Sequence, residues 1–194
     1  MTGMINIEIR HDARVVRALL AGYAGGAEKV LARTLNRVME PSVKTAAARE
    51  IAAGLGVPVG RAKQALKIGK KAYVRSLSID LKADAKRIPL IAFKARQTKA
   101  GVTYKIGKSP RKLLPRAFIN VGPTVGRTVL KRDRDGNDVD DLVPRYPVFI
   151  KYGPSPAAIF IQEAVQKALD TTARERWVRE LTAQIKFFLS KQPG

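Results

Sequence analysis

The sequence predicts an α+β fold with N-terminal helices, a mainly antiparallel sheet of about four to five strands, and a long C-terminal amphipathic helix. Three observations support this prediction. Apolar residues recur at helical spacing up to about residue 66, alternate with polar residues in much of 73–132, and return to helical spacing in 157–189. The chain has 194 residues, 45% of them hydrophobic. This is enough to bury a core, so we predict a single α+β domain over residues 1–194.

The N-terminus predicts a strand and then a helix. Ile5, Ile7 and Ile9 fall on one face at period two, which is typical of a short half-buried strand that could lie at a sheet edge. A helix follows from Asp12, a candidate N-cap, until Gly22 interrupts the helical pattern. The sequence leaves open whether residues 1–26 form an appended arm.

A second helical region begins near Ala27 and continues to about Ala53. Pro41 lies inside it and should kink or split the helix, because proline lacks the backbone N–H and clashes with the preceding turn. Gly54 or Gly56 provides the C-terminal stop. A short helix is predicted from about Val59 to Leu66.

Period-two alternation from Tyr73 to Lys82, after the break at Gly69, predicts the first strand of the sheet. Turn residues separate the other candidate strands, which are Ile88–Phe93, Gly101–Lys108, Arg116–Val121, Thr124–Arg132 and Tyr146–Tyr152.

A charged loop, residues 130–144, separates the last two strands. Its five acids are Asp133, Asp135, Asp138, Asp140 and Asp141. The order of these acids resembles part of a calcium-binding loop, but Pro144 occupies the position that needs a bidentate Glu. We therefore interpret the loop as a solvated hairpin or an inter-subunit charge contact.

The C-terminal segment, Ala157–Leu189, predicts a long amphipathic helix. One apolar stripe runs along it at helical spacing, formed by Ile161, Val165, Leu169, Ala173, Trp177, Leu181, Ile185 and Phe188.

The positive charge is concentrated in the middle of the chain. The formal net charge is +21, and residues 61–116, here called the basic block, hold 17 basic and 2 acidic side chains. Self-repulsion on this scale favours an anionic partner, either nucleic acid or an acidic protein surface. The cations assigned to this surface are Arg61, Lys63, Lys67, Lys70, Lys71, Arg75, Lys94, Arg96, Lys99, Lys105, Lys108, Arg111 and Lys112.

Several classes of chemistry find no support. The chain has no cysteine, so thiolate metal sites, disulfides and Cys nucleophiles are excluded. His11 is the single histidine, which excludes a multi-histidine metal site within one chain, and we interpret it as a surface or capping residue. We expect no cofactor, no catalysis, no signal peptide and no membrane span.

Residues 45–67 leave an alternative function open. They have the helix, Gly-containing turn and basic helix of a DNA-binding helix-turn-helix. In that interpretation the side chains that would face the major groove are Arg61, Lys63, Gln64 and Lys67.

Segments along most of the chain resemble the minor tail protein Z family of tailed bacteriophages, also described as tail completion proteins. The main signature is Arg145, Pro147, Tyr152, Gly153, Pro154, Ser155 and Pro156, which joins the last strand to the last helix. Other matching segments occur in order and are Ala32–Val38, Thr45 with Ala48–Glu50, the basic stretch through Lys71, Ile88–Leu90 and Arg116–Ile119.

This resemblance implies a non-enzymatic virion protein at the head-proximal end of the tail, or neck, assembled in the cytoplasm of the bacterial host. It implies a homo-oligomeric ring, with the tail terminator, the tail tube and the head connector as partners. Genomic DNA would be contacted through its backbone without sequence specificity.

Overall fold

A computed structural model describes residues 3–6, 11–23, 25–122, 126–132 and 148–191, and it confirms the α+β class. The α-helices in these ranges are α1 (His11–Leu19), α2 (Gly26–Arg37), α3 (Lys44–Leu55), α4 (Val59–Gln64), α5 (Pro156–Phe160) and α6 (Glu163–Leu189). The strands are β1 (Gly3–Asn6), β2 (Leu66–Ile68), β3 (Asp80–Ala83), β4 (Arg96–Thr98), β5 (Gly101–Tyr104), β6 (Lys112–Pro115), β7 (Ala117–Gly122), β8 (Gly126–Arg132) and β9 (Val148–Ile150).

The helices pack around α6. This helix lies against α2 and the segment that follows α2, while α3 packs against α4 and α5. The predicted stripe of α6 is confirmed, because Val165, Leu169, Ala173 and Trp177 are buried in the hydrophobic core. Since Val16 on α1 and Leu20, directly after α1, also belong to that core, both ends of the chain stabilise the same helical layer.

The prediction that Pro41 would split the second helical region is confirmed. Val38–Val43 forms a π-helical segment between α2 and α3, and Lys44 N donates to the Met39 carbonyl. Because Pro41 has no N–H for the Arg37 carbonyl, the helix widens there instead of continuing its regular ladder. Gly56 then ends α3 in the left-handed conformation, at φ 73°.

We had predicted one continuous C-terminal helix, but the structure has two, α5 and α6. The break lies at Ile161–Gln162, and Ile161 is 62% exposed instead of joining the apolar stripe. The Gln166 side chain donates to the carbonyl of Phe160, which the end of α5 leaves without a helical partner. Because of the break, Phe160 on α5 and Val165 on α6 are both buried although they lie on separate helices.

Leu66–Ala83 forms one antiparallel hairpin, here called the long hairpin. Leu66 pairs with Ala83 and Ile68 with Leu81, and beyond an irregular stretch Tyr73 pairs with Ser76 across the turn. The predicted continuous strand over Tyr73–Lys82 is therefore wrong, because the chain reverses at Val74–Arg75. At Gly69, where the sequence pattern breaks, the two arms stay hydrogen-bonded: Gly69 N donates to the Asp80 carbonyl, and Asp80 N donates to the Lys70 carbonyl.

Ile88–Phe93 was also predicted as a strand, and this prediction is wrong. Leu90–Ala92 is a 3-10 turn, and Leu90 and Phe93 are both buried, three residues apart. Residues three apart share a face of a turn but lie on opposite faces of a strand, so burial of both residues favours the turn.

The strands form three small antiparallel sheets, ordered β1-β3-β2, β4-β5-β6 and β7-β8-β9, and not one sheet of four or five strands. β1 lies at an edge, as predicted, and β7 and β8 match their predicted positions closely. The strands β2, β4 and β6 were not predicted. β2 begins at Leu66, where we expected the short helix to end, because that helix stops at Gln64.

Candidate anionic-partner surface

The charge is densest around the middle sheet, which is β4-β5-β6. Residues 94–116, which include this sheet, contain eight basic and no acidic side chains. Seven of these eight cations are exposed and Lys105 is half-buried. Phosphate groups are bound by this kind of cation-rich, acid-free surface, whereas mixed charges are typical of a solvated face.

The register of the middle sheet separates an inner face from an outer face. Val102 on β5 is fully buried, which identifies the inner face. Arg96 lies opposite Thr103, and Thr103 lies opposite Leu113, so these three residues share the outer face. The outer face therefore presents a guanidinium, a hydroxyl and an exposed leucine side by side.

Arg111 braces this sheet. Its guanidinium donates to the Lys94 carbonyl at 3.0 Å and to the Thr103 hydroxyl at 3.2 Å. Lys94 has a positive φ of 52°, an unfavourable conformation for a residue with a Cβ, and the guanidinium holds its carbonyl in place. Arg111 thus has a structural contact in addition to the surface role that the sequence assigned to it.

The middle sheet is attached to the helices by close glycine contacts. Gly107 N donates to the Leu55 carbonyl at 2.9 Å, at the end of α3. A Cβ atom on Gly107 would lie 2.3 Å from the Gly54 carbonyl oxygen, so the two backbones meet without an intervening side chain. On the other side, the Gln97 side chain accepts from Ile119 N at 2.8 Å and links β4 to β7. The cations are therefore carried by a fixed platform.

The long hairpin provides a second cationic face. Lys67 on β2 is directly opposite Lys82 on β3, and both are exposed. Like charges directly opposite each other in a sheet are destabilising unless an anion lies between or near them. Lys82 is not among the cations assigned from the sequence, because its pairing with Lys67 is evident only from the strand register. Asp80, half-buried on the same face, partly offsets this charge.

The remaining predicted cations occupy two other places. Lys70 and Arg75 are exposed on the long hairpin, and Lys71 makes an exposed ion pair with Glu40 at 3.3 Å. Arg61 and Lys63 are exposed in the last turn of α4. The structure thus divides the basic block among α4, the long hairpin and the middle sheet.

The local structure of residues 45–67 differs from that of a DNA-binding helix-turn-helix. α3 and α4 do pack together across the turn at Gly56–Pro58, but α4 has only six residues. Lys67 lies on β2, so it does not share a helix with Arg61, Lys63 and Gln64. A six-residue helix spans about 9 Å at 1.5 Å per residue, which is short for a helix that reads several bases.

Residues Tyr152–Pro156 connect β9 to α5. Gly153 N donates to the Ile88 carbonyl at 2.8 Å, and Leu90 N donates to the Lys151 carbonyl at 2.9 Å. Two segments of the family-like pattern, Ile88–Leu90 and Tyr152–Pro156, are thereby brought into contact. Pro156 begins α5, as expected, while the Ser155 side chain makes no capping hydrogen bond.

Some predicted features lie outside the described residues. These are Arg145, Pro147 and the acids of the charged loop, Asp133, Asp135, Asp138, Asp140 and Asp141.

Among the residues that the structure describes, no three or more His, Asp or Glu side chains come together as metal ligands. No helix in the same ranges is long and apolar enough to cross a membrane.

Comparison with known proteins gave one match. A family model described as prophage minor tail protein Z matches residues 23–192. No curated protein and no solved structure matches the chain.

Proposed function

The chain belongs to the prophage minor tail protein Z family, a family of structural proteins of phage tails, and from this membership we propose that it completes the tail at its head-proximal end. There it joins tail to head as a ring of identical subunits, in contact with the tail terminator, the tail tube and the head connector. The basic block faces the DNA path or an acidic neighbour.

The observation that carries this proposal is the acid-free cationic platform of residues 94–116. The middle sheet holds its charges through backbone contacts to α3 and β7, so the surface does not depend on a partner for its shape. A preformed cationic surface suits a polyanion of uniform charge, because phosphate contacts require charge at fixed positions but no base recognition.

Imaging of purified phage particles tests the location. We expect density for the chain, or an antibody label against it, at the neck or upper tail, repeated around the tail axis. A label found along the tail shaft or at the distal tip would contradict the proposal, and so would a single copy per particle.

The helix-turn-helix alternative makes a different prediction. A sequence-reading protein binds one duplex far more tightly than a scrambled duplex, and loses that preference when Arg61 and Gln64 are both changed to Ala. We expect equal affinity for both duplexes and a steep decrease in affinity with salt.

A further inference from the structure

The tip of the long hairpin is a tightly closed turn. Tyr73 N donates to the Ser76 carbonyl at 3.0 Å, and Ser76 N donates to the Tyr73 carbonyl at 2.9 Å. Val74 and Arg75 occupy the two central positions between them. The mutual pair of hydrogen bonds fixes the direction of the tip relative to the rest of the hairpin.

The base of the tip is fixed by a residue from another element. The Asn36 side chain on α2 donates to the Ala72 carbonyl at 2.8 Å and accepts from Ala72 N at 3.1 Å. Ala72 is buried and Asn36 is half-buried, so these two bonds are partly shielded from water. The tip is therefore held in one conformation before any partner binds.

The side chains at the tip are unusual for a surface turn. Tyr73 is 59% exposed and Val74 is 44% exposed, whereas Ile79 on the returning arm is fully buried. Turns of this kind normally carry Gly, Asn or Asp. The ring and the branched aliphatic side chain add little to the core and are accessible to a partner at the tip.

The hairpin that carries the exposed ring also carries several exposed cations. Lys67 and Lys82 are paired at the base of the long hairpin, and Lys70, Lys71 and Arg75 are exposed in the segment around Tyr73, where Lys71 also makes an ion pair with Glu40. Lys67 and Tyr73 are six residues apart, so at most about 22 Å of extended chain separates them. This surface of the long hairpin thus combines exposed positive charges with an exposed aromatic ring.

We propose that this face binds single-stranded DNA, with the Tyr73 ring stacked on a base and the neighbouring lysines and Arg75 beside the phosphates. The match is chemical, since every nucleotide presents a flat base next to a negative phosphate. In a duplex the base faces are covered by their neighbours, so an exposed ring favours unpaired strands. The inference rests on the proposed function only in placing the basic block near DNA.

The test compares two DNA forms. Binding of the full chain to a fluorescent 20-nucleotide oligo(dT) and to a 20-base-pair duplex is measured by anisotropy at the same salt concentration. Tyr73→Ala should weaken oligo(dT) binding by roughly 5- to 100-fold, because one base-stacking contact is lost. Duplex binding should change by less than about twofold, since it depends on the phosphates. Tyr73→Phe should keep the affinity for oligo(dT).

Tyr152→Ala is the matched control, because Tyr152 is an exposed tyrosine outside the basic block. It should leave binding to both DNA forms unchanged. Fluorescence of the single, buried Trp177 shows whether each variant is folded.

Two outcomes would overturn the inference. The first is oligo(dT) binding that Tyr73→Ala leaves unchanged; the proposed role at the neck, tested by imaging, would remain. The second is a Tyr73→Ala variant that loses as much affinity for poly-glutamate as for oligo(dT), which would identify the tip as a contact for an acidic protein.

Discussion

Asn36 shows how one side chain can hold a segment in place. Its amide pairs with both backbone groups of Ala72, which point away from the returning arm because the neighbouring Tyr73 directs its own backbone groups to Ser76. Asn36→Ala leaves a buried N–H and a buried carbonyl without partners. We expect the free energy of unfolding to fall by about 1–3 kcal/mol. Urea unfolding followed by Trp177 fluorescence measures this, and amide exchange at Ala72 should accelerate.

The control is Asn120→Ala on β7. Asn120 is exposed, and its substitution should change stability by no more than about 0.5 kcal/mol. Equal effects of the two substitutions would show that the Asn36 contact does not stabilise the fold.

Gly153 explains why the signature joint needs a glycine. A Cβ atom there would lie 2.3 Å from Cε2 of Phe93, a fully buried ring that has no space to move. Gly153→Ala should therefore lower the free energy of unfolding by about 1–3 kcal/mol through overpacking. Thermal unfolding measures the loss.

Gly60→Ala is the corresponding control, since nothing lies within 4 Å of a Cβ atom on Gly60 in α4. This substitution should leave stability unchanged or raise it by up to about 1 kcal/mol, because alanine favours helix. A Gly153→Ala protein as stable as the Gly60→Ala protein would contradict the role given to the Phe93 contact.

At the level of elements, local patterns predicted the helices and missed the connections. The apolar stripe of α6 and the interruption at Pro41 follow from side-chain spacing and from the missing N–H of proline, and both are confirmed. The break at Ile161–Gln162 depends on how α5 and α6 each meet the core. No residue in that stretch marks it, since it contains neither Gly nor Pro.

The long hairpin shows the same limit for strands. Its inward face, which includes Leu66, Leu77, Ile79 and Leu81, does alternate as the sequence suggested. The turn at Val74–Arg75 has no turn-forming residue, while Gly69 resembles one but lies inside the ladder. The turn is instead stabilised from outside by Asn36 on α2, a long-range contact that no sequence window contains.

The contact between Gly107 and α3 belongs to this level as well, because it attaches the middle sheet to the helices. Gly107 has φ 55°, and a Cβ atom would meet the Gly54 carbonyl oxygen at 2.3 Å. Gly107→Ala therefore adds a steric clash to the cost of the left-handed conformation. We expect a loss of about 2–4 kcal/mol in the free energy of unfolding.

A comparison with Gly126 separates the cost of the steric clash from the cost of the left-handed conformation. Its φ is 66°, but nothing lies within 4 Å of a Cβ atom there. Gly126→Ala should lower stability by only about 1–2 kcal/mol, the cost of the conformation alone. If chemical denaturation gave equal losses for both alanine variants, the close approach at Gly107 would not be what anchors the sheet.

For the whole molecule, the sequence predicted where the charge lies but not how it is arranged. Composition alone identified residues 61–116, and the predicted cations in this range are exposed except Lys105. Their division among α4, the long hairpin and the middle sheet depends on strand register. So do the Lys67–Lys82 pair and the bracing contact of Arg111.

Neutralising the platform tests whether its charge acts in assembly and not in folding. Arg96, Lys99, Lys108 and Lys112 have exposed side chains without hydrogen-bond or ion-pair partners in the described part of the chain. A variant with Gln at all four positions should unfold like the unmodified protein. It should bind duplex DNA more weakly, and the slope of log affinity against log salt should become shallower by up to about 3–4 if all four contact phosphates.

The matched control replaces four exposed cations on α2 and α6 with Gln, at Lys29, Arg176, Arg179 and Lys186. It removes the same charge, so a purely global effect would weaken DNA binding equally in both variants. A local platform predicts a loss of affinity, and fewer DNA-retaining phage particles, only for the first variant. If the first variant assembles stable particles at the normal yield, the charge of the middle sheet serves only as a solvated face.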